Sequence, residues 1–188
     1  MPQLPLALRY PPDQRLDTYV TSEPGIVGLV QTAATVGGEW LYLAGPPGVG
    51  KTHFCEALAR VLCVPVRRHP MDQAETSSAL LGSEMTWGNS RYGLVFEMLG
   101  LGDYANPVVI LDELDKADTY RGGHATAPLH SLLEPLTATS VTDISAGVTF
   151  DASHIFWVAT ANELWRIPPP ILTRFRIFDI QLPTASEA

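Results

Sequence analysis

Residues 45–52 read Gly-Pro-Pro-Gly-Val-Gly-Lys-Thr, and an apolar helical pattern, "KTHFCEALARVL" (51–62), starts from the lysine. Glycines at 45, 48 and 50 let the backbone curl so that consecutive N–H groups face one point. A helix beginning there adds its positive end. Such a turn suits an anion, and the lysine and hydroxyl narrow the anion to a nucleoside triphosphate. Lys51 is placed for the β- and γ-phosphates and Thr52 for Mg²⁺. Gly45, Pro46, Pro47, Gly48, Val49, Gly50, Lys51, Thr52 and His53 are therefore expected to hold ATP or ADP.

The surrounding text alternates between strand and helix. "EWLYLAG" reads as a buried strand before the glycine turn, and "VPVRRH" as a second strand after the helix. "QAETSSALLG" and "YGLVFEMLGLG" read as helices, the first stopped by glycine. "PVVILDE" is a continuous apolar run, the mark of a strand covered on both faces. "TAPLHSLLEPL" reads as one helix with Pro128 near its start, "SHIFWVATAN" as a fourth buried strand and "FRIFDIQL" as a fifth. This pattern predicts an α/β fold: a parallel five-stranded sheet sandwiched by helices, with ligands beyond the C-terminal strand ends. Residues 1–38, with five prolines and a loose helical pattern at "GIVGLVQTAATV", read as an arm and short helix before a nucleotide-binding domain at 39–188.

Three more positions carry chemistry. "VVILDELDK" (108–116) delivers Asp112 and Glu113 at a strand end, beside the glycine turn. Asp112 suits the coordination sphere of Mg²⁺, and Glu113 suits polarising a water for in-line attack on a γ-phosphate. A carboxylate dedicated to water favours hydrolysis over transfer to a small acceptor. "VATAN" ends the next strand in Asn162, an amide able to hold that water and to sense the γ-phosphate. "IPPPILTRF" places Arg174 behind a proline-started helix, where it suits transition-state charge on a neighbouring subunit's nucleotide; Arg176 is a second candidate.

Composition narrows the classes. Of 188 residues 46% are hydrophobic and 17% charged, as in an ordinary globular protein, and the net charge of −8 argues against broad nucleic-acid binding. Cys55 and Cys63 fall in an apolar helical pattern and read as reduced core residues. The five histidines lack ligand spacing. No apolar run reaches the roughly 20 residues of a membrane span, and the N-terminus has no basic leader, so a cytoplasmic location is expected.

The glycine–lysine loop, the Asp-Glu strand end, the strand-end asparagine and the trailing arginine, in this order, resemble an AAA+ ATPase domain over residues 39–183. From Lys51 onward "ILDELDK", "RGGHATAPLHSLLEPL", "FWVATAN" and "IPPPILTRF" are similar to segments of the ATPase module of Lon proteases, without a protease domain or a Ser-Lys dyad in these residues. That resemblance implies a Mg²⁺-dependent ATPase working as a homo-oligomeric ring, most often a hexamer. Arg174 would complete the next subunit's site, and a protein substrate would be gripped by an aromatic loop. "MTWGNSRYG" occupies that region with Trp87, although Gly88 follows the aromatic directly, which departs from the family pattern. The opening "QLPLALRYPPDQRLDTYV" with "WLYLAGPPGVGKTHF" resembles instead the start of the Hda family, DnaA-related regulators of replication. That likeness implies a nucleotide-switched module docking on the sliding clamp through Gln3, Leu4, Leu6 and Leu8. A small-molecule kinase fits less well, since no arginine-rich acceptor lid follows. The sequence stops after the fifth strand at "QLPTASEA", where AAA+ proteins continue into a helical lid. Weak nucleotide binding and slow turnover are the expectation for a chain without the lid.

Overall fold

The computed structural model describes Gly28 and residues 40–73, 77–84, 90–117 and 125–180. The clamp-like peptide at Gln3–Leu8 and the Trp87 position lie outside these residues. Strand β1 (Trp40–Ala44) leads through the glycine loop into helix α1 (Lys51–Leu62), followed by β2 (Val66–Pro70). Two short helices, α2 (Ser78–Leu81) and α3 (Leu94–Leu99), precede β3 (Val108–Asp112). Helices α4 (Leu129–Leu132) and α5 (Pro135–Ala138) come next, then a hairpin of β4 (Val141–Asp143) and β5 (Val148–Phe150). Strand β6 (Phe156–Ala161), helix α6 (Pro169–Leu172) and strand β7 (Phe175–Asp179) complete the order.

Five strands form one parallel sheet in the order β2-β3-β6-β1-β7. The β-branched run Val108-Val109-Ile110 suits a central strand, and every residue of β1, β3 and β6 is buried. Alternation splits these strands between two cores. Trp40, Tyr42, Val109, Leu111 and Trp157 face the side covered by α3, α4 and α6. Leu41, Leu43, Val108, Ile110 and Val158 face α1, which presents Phe54, Cys55 and Leu58. The strand ends are thus held by packing on both faces, which fixes the loops that leave them.

Two sequence expectations need correction. "TAPLHSLLEPL" is not one helix: Glu134 is extended (φ −114°, ψ 115°) and Pro135 opens a new helix at its first position. The clash of a proline ring with the residue before it disfavours helical backbone there. Cys63 is not a core residue. It adopts a left-handed conformation (φ 54°) that ends α1 and leaves it exposed, while Cys55 is buried. Both are free thiols.

The β4–β5 hairpin had not been anticipated. Its turn ties down distant backbone. Fully buried Asp143 accepts the Gly93 N–H at 2.7 Å and the Ala146 N–H at 2.8 Å. The Ser145 hydroxyl meets the carbonyls of Ser83 at 2.6 Å and Arg91 at 2.7 Å, the residues flanking the segment that contains Trp87. Asp143→Ala leaves two donors without an acceptor in a dry site, and should lower the unfolding free energy by about 2–4 kcal/mol. Urea unfolding checks this; an unchanged midpoint would show that the hairpin turn contributes nothing to the fold.

Candidate functional site

The C-terminal ends of β3, β6 and β1 lie side by side and open on a cleft of about 470 Å³. At the end of β1 the chain has to pass close to the residue after β7. A side chain on Gly45 (φ +150°) would stand 2.1 Å from the Ile180 carbonyl oxygen, so only glycine fits there. Gly48 (φ +84°) turns the loop back toward α1. The first turn of α1 contains no acidic residue, so its positive end stays available to an anion. Pro47, Gly48, Gly50, Lys51, Thr52 and His53 all line the cleft. Val49 instead packs on the α1 core.

Lys51 closes this loop from inside. Its Nζ donates to the carbonyls of Gly45 at 2.6 Å and Pro46 at 2.9 Å, and to Asn162 Oδ1 at 3.0 Å. Burial lowers its pKa, against the pull of the Asp115, Asp112 and Glu113 charges. The lysine, the loop and the strand-end asparagine of β6 are therefore one cluster.

Asp112, last residue of β3, is the other centre. Its Oδ1 accepts the Thr160 hydroxyl at 2.6 Å and the Thr52 hydroxyl at 3.1 Å. Its Oδ2 accepts Arg68 Nε at 2.7 Å and Arg68 Nη2 as well. Thr52 and Asp112 are hard oxygen donors in contact with each other at the mouth of the loop, the chemistry that Mg²⁺ selects. Glu113, next along, is left-handed (φ 56°, ψ 48°), a strained state for a residue with a Cβ, worth about 1–3 kcal/mol. Its N–H donates to Thr160 Oγ1 at 3.0 Å, which helps to hold that turn. Its carboxylate lines the cleft and accepts Lys116 Nζ at 2.6 Å.

Comparison with known proteins fits this geometry. Residues 41–183 match the family described as "ATPase family associated with various cellular activities (AAA)". The chain belongs to the AAA family of ATPases. It is 33% identical over 161 residues to the mitochondrial Lon protease homolog of Debaryomyces hansenii, covering 86% of this chain and 15% of that protein. With the Lon protease of Helicobacter pylori it shares 33% over 150 residues, 80% of this chain and 18% of the relative. With that of Clostridium beijerinckii it shares 32% over 150 residues, 80% and 19%. The chain thus resembles the Lon ATPase region and spans under a fifth of these relatives. Among the described residues, no helix of this AAA domain is long and apolar enough to cross a membrane.

Arg174 stands apart from the cleft lining. It follows α6 and reaches Glu134 Oε2 at 3.3 Å, His130 Nδ1 at 3.4 Å and the Pro170 carbonyl at 3.3 Å. Arg176 is exposed on the edge strand β7, its guanidinium 5.4 Å from the Phe178 ring centroid. Sequence reasoning missed Arg68, Thr160 and Asp115. Buried Asp115 accepts the N–H groups of Asn162 at 3.2 Å and Glu163 at 3.0 Å, fixing the end of β6. The strand "VATAN" did offer Thr160 as a signal, two residues before Asn162.

Burial opposes ionisation of Asp112. The hydrogen bonds of Thr160 and Arg68, the Arg68 charge and the Thr52 hydroxyl outweigh it, and the carboxyl ionises below its ordinary 3.8. The unfolded chain then takes up this proton more readily than the folded one. The resulting stability is complete above about pH 4 and is lost as pH falls through the lower folded value. Unfolding measured against pH should show the advantage of the wild type over Asp112→Asn shrinking below about pH 4. A gap independent of pH would contradict it.

Proposed function

We propose that this chain is an ATP-hydrolysing module that works as an oligomer to remodel a protein partner, in the manner of a Lon-type ATPase. The observation that carries this reading is the meeting of Lys51, Thr52, Asp112, Glu113 and Asn162 around one cleft at three adjacent strand ends. Lys51 would exchange the loop's own carbonyls for phosphate oxygens, a stronger, charge-assisted partner. Thr52 and Asp112 would hold Mg²⁺, which supplies charge neutralisation on the phosphates. Glu113 would leave Lys116 and take a proton from water as that water's oxygen attacks the γ-phosphorus. The bond to the β-bridging oxygen breaks, and ADP and phosphate leave. Asn162, held by Asp115 through its backbone, would position the water.

Arg174, outside its own cleft and braced by Glu134, suits a neighbour's site. A ring of copies is the arrangement in which every site receives one such arginine. Trp87 would contact the polypeptide substrate.

Turnover by Arg174→Ala alone and by Glu113→Gln alone should each fall by at least about 10²-fold. Mixing them should restore part of the activity, because Glu113→Gln subunits lend their arginine to intact sites on Arg174→Ala neighbours. Free phosphate release reads this directly. Normal turnover by Arg174→Ala alone would remove the shared site.

A further inference from the structure

Of the three side chains that donate to Asp112, two are constrained or needed elsewhere and one stands on a long exposed stem. Thr160 is buried, and its hydroxyl also accepts the Glu113 N–H, so it is fixed from two sides. Thr52 belongs to the first turn of α1. Arg68 lies on the edge strand β2 with 55% of its side chain exposed. Its Cα pairs with Ile110, two residues before Asp112 and on the same face of β3. The guanidinium therefore runs along the sheet to reach the carboxylate, and both Arg68 and Asp112 line the cleft. Arg68 has a use the sequence did not announce.

An ionised carboxylate offers about four lone-pair positions. Two hydroxyls and two guanidinium nitrogens take up the acceptor capacity of Asp112. A divalent cation that binds Asp112, directly or through one of its own waters, needs one of those positions. Charge decides which donor leaves: two cations on one carboxylate repel each other, and the hydroxyls do not. Rigidity gives the same answer, since only Arg68 has a solvated stem on which to move.

We infer that Arg68 is a built-in competitor for the metal: its guanidinium occupies the Asp112 oxygen that a divalent cation requires, and cation binding proceeds with release of Arg68. This rests on the reading of Asp112 as a metal-side carboxylate. It goes beyond that reading in making metal affinity a property of the neighbouring edge strand. A purely structural Arg68, serving only to tie β2 to β3, is the contrary view.

The test is a Mn²⁺ titration of the full chain, without nucleotide, followed by loss of the free-ion electron paramagnetic resonance signal. Arg68→Gln should bind Mn²⁺ about tenfold more tightly than the wild type, the scale of losing one partly exposed charge-assisted competitor. Adding Asp112→Asn to Arg68→Gln should abolish the gain. Equal Mn²⁺ affinity in wild type and Arg68→Gln overturns the inference, and so does a gain that survives Asp112→Asn. Because nucleotide is absent, this result is independent of whether the chain hydrolyses ATP.

Discussion

Asp112 ends a strand that is buried along its whole length, and a carboxylate there has to be met by donors from other elements. The four that meet it come from the start of α1, from β6 and from the edge strand β2. One side chain thereby ties the phosphate loop's helix to three strands of the sheet. Thr160 extends the tie to the backbone of Glu113, and Asp115 extends it to the end of β6. The bonds to these two carboxylates hold the strand ends together, and the cleft opens beside them.

Much of this was legible in the sequence because its chemistry is local. The glycines, Lys51 and Thr52 are consecutive, and a loop that cradles phosphate can be read from neighbouring residues alone. The continuous apolar runs gave the central strands and therefore the end of the sheet at which Asp112 and Asn162 emerge. Arg68, Thr160 and Asp115 were not legible, because each acts on a partner 44, 48 and 47 residues away, and no short-range pattern encodes that. The split between α4 and α5 lies in Pro135, which opens a second helix, whereas Pro128 at the start of the first is compatible with one continuous helix. The β4–β5 hairpin hid in short three-residue strands, below the length at which alternation is convincing.

Family membership and geometry bear on different parts of the account. The match to AAA ATPases covers residues 41–183 and agrees with the sheet and the loop. The Lon relatives are far longer than this chain, which spans 15% to 19% of the three compared above, so their peptide-directed work is here a proposal. The local electrostatics belong to this chain itself. Lys51 is partly desolvated among three carboxylates and rests on its own loop, and Asp112 is held ionised by neighbours that include Arg68. On the proposed reading both arrangements serve exchange: the lysine would trade carbonyls for phosphate, and the carboxylate would trade guanidinium for metal.

The central claim is that Lys51 and Asp112 serve one magnesium nucleotide. Calorimetric titration of ATP with Mg²⁺ into wild type, Lys51→Ala, Asp112→Asn and the double variant tests it as a thermodynamic cycle. A shared ligand predicts strong coupling, with the double substitution costing little more than the larger single one. Two single losses that simply add, or a Lys51→Ala chain that binds as tightly as wild type, would contradict it.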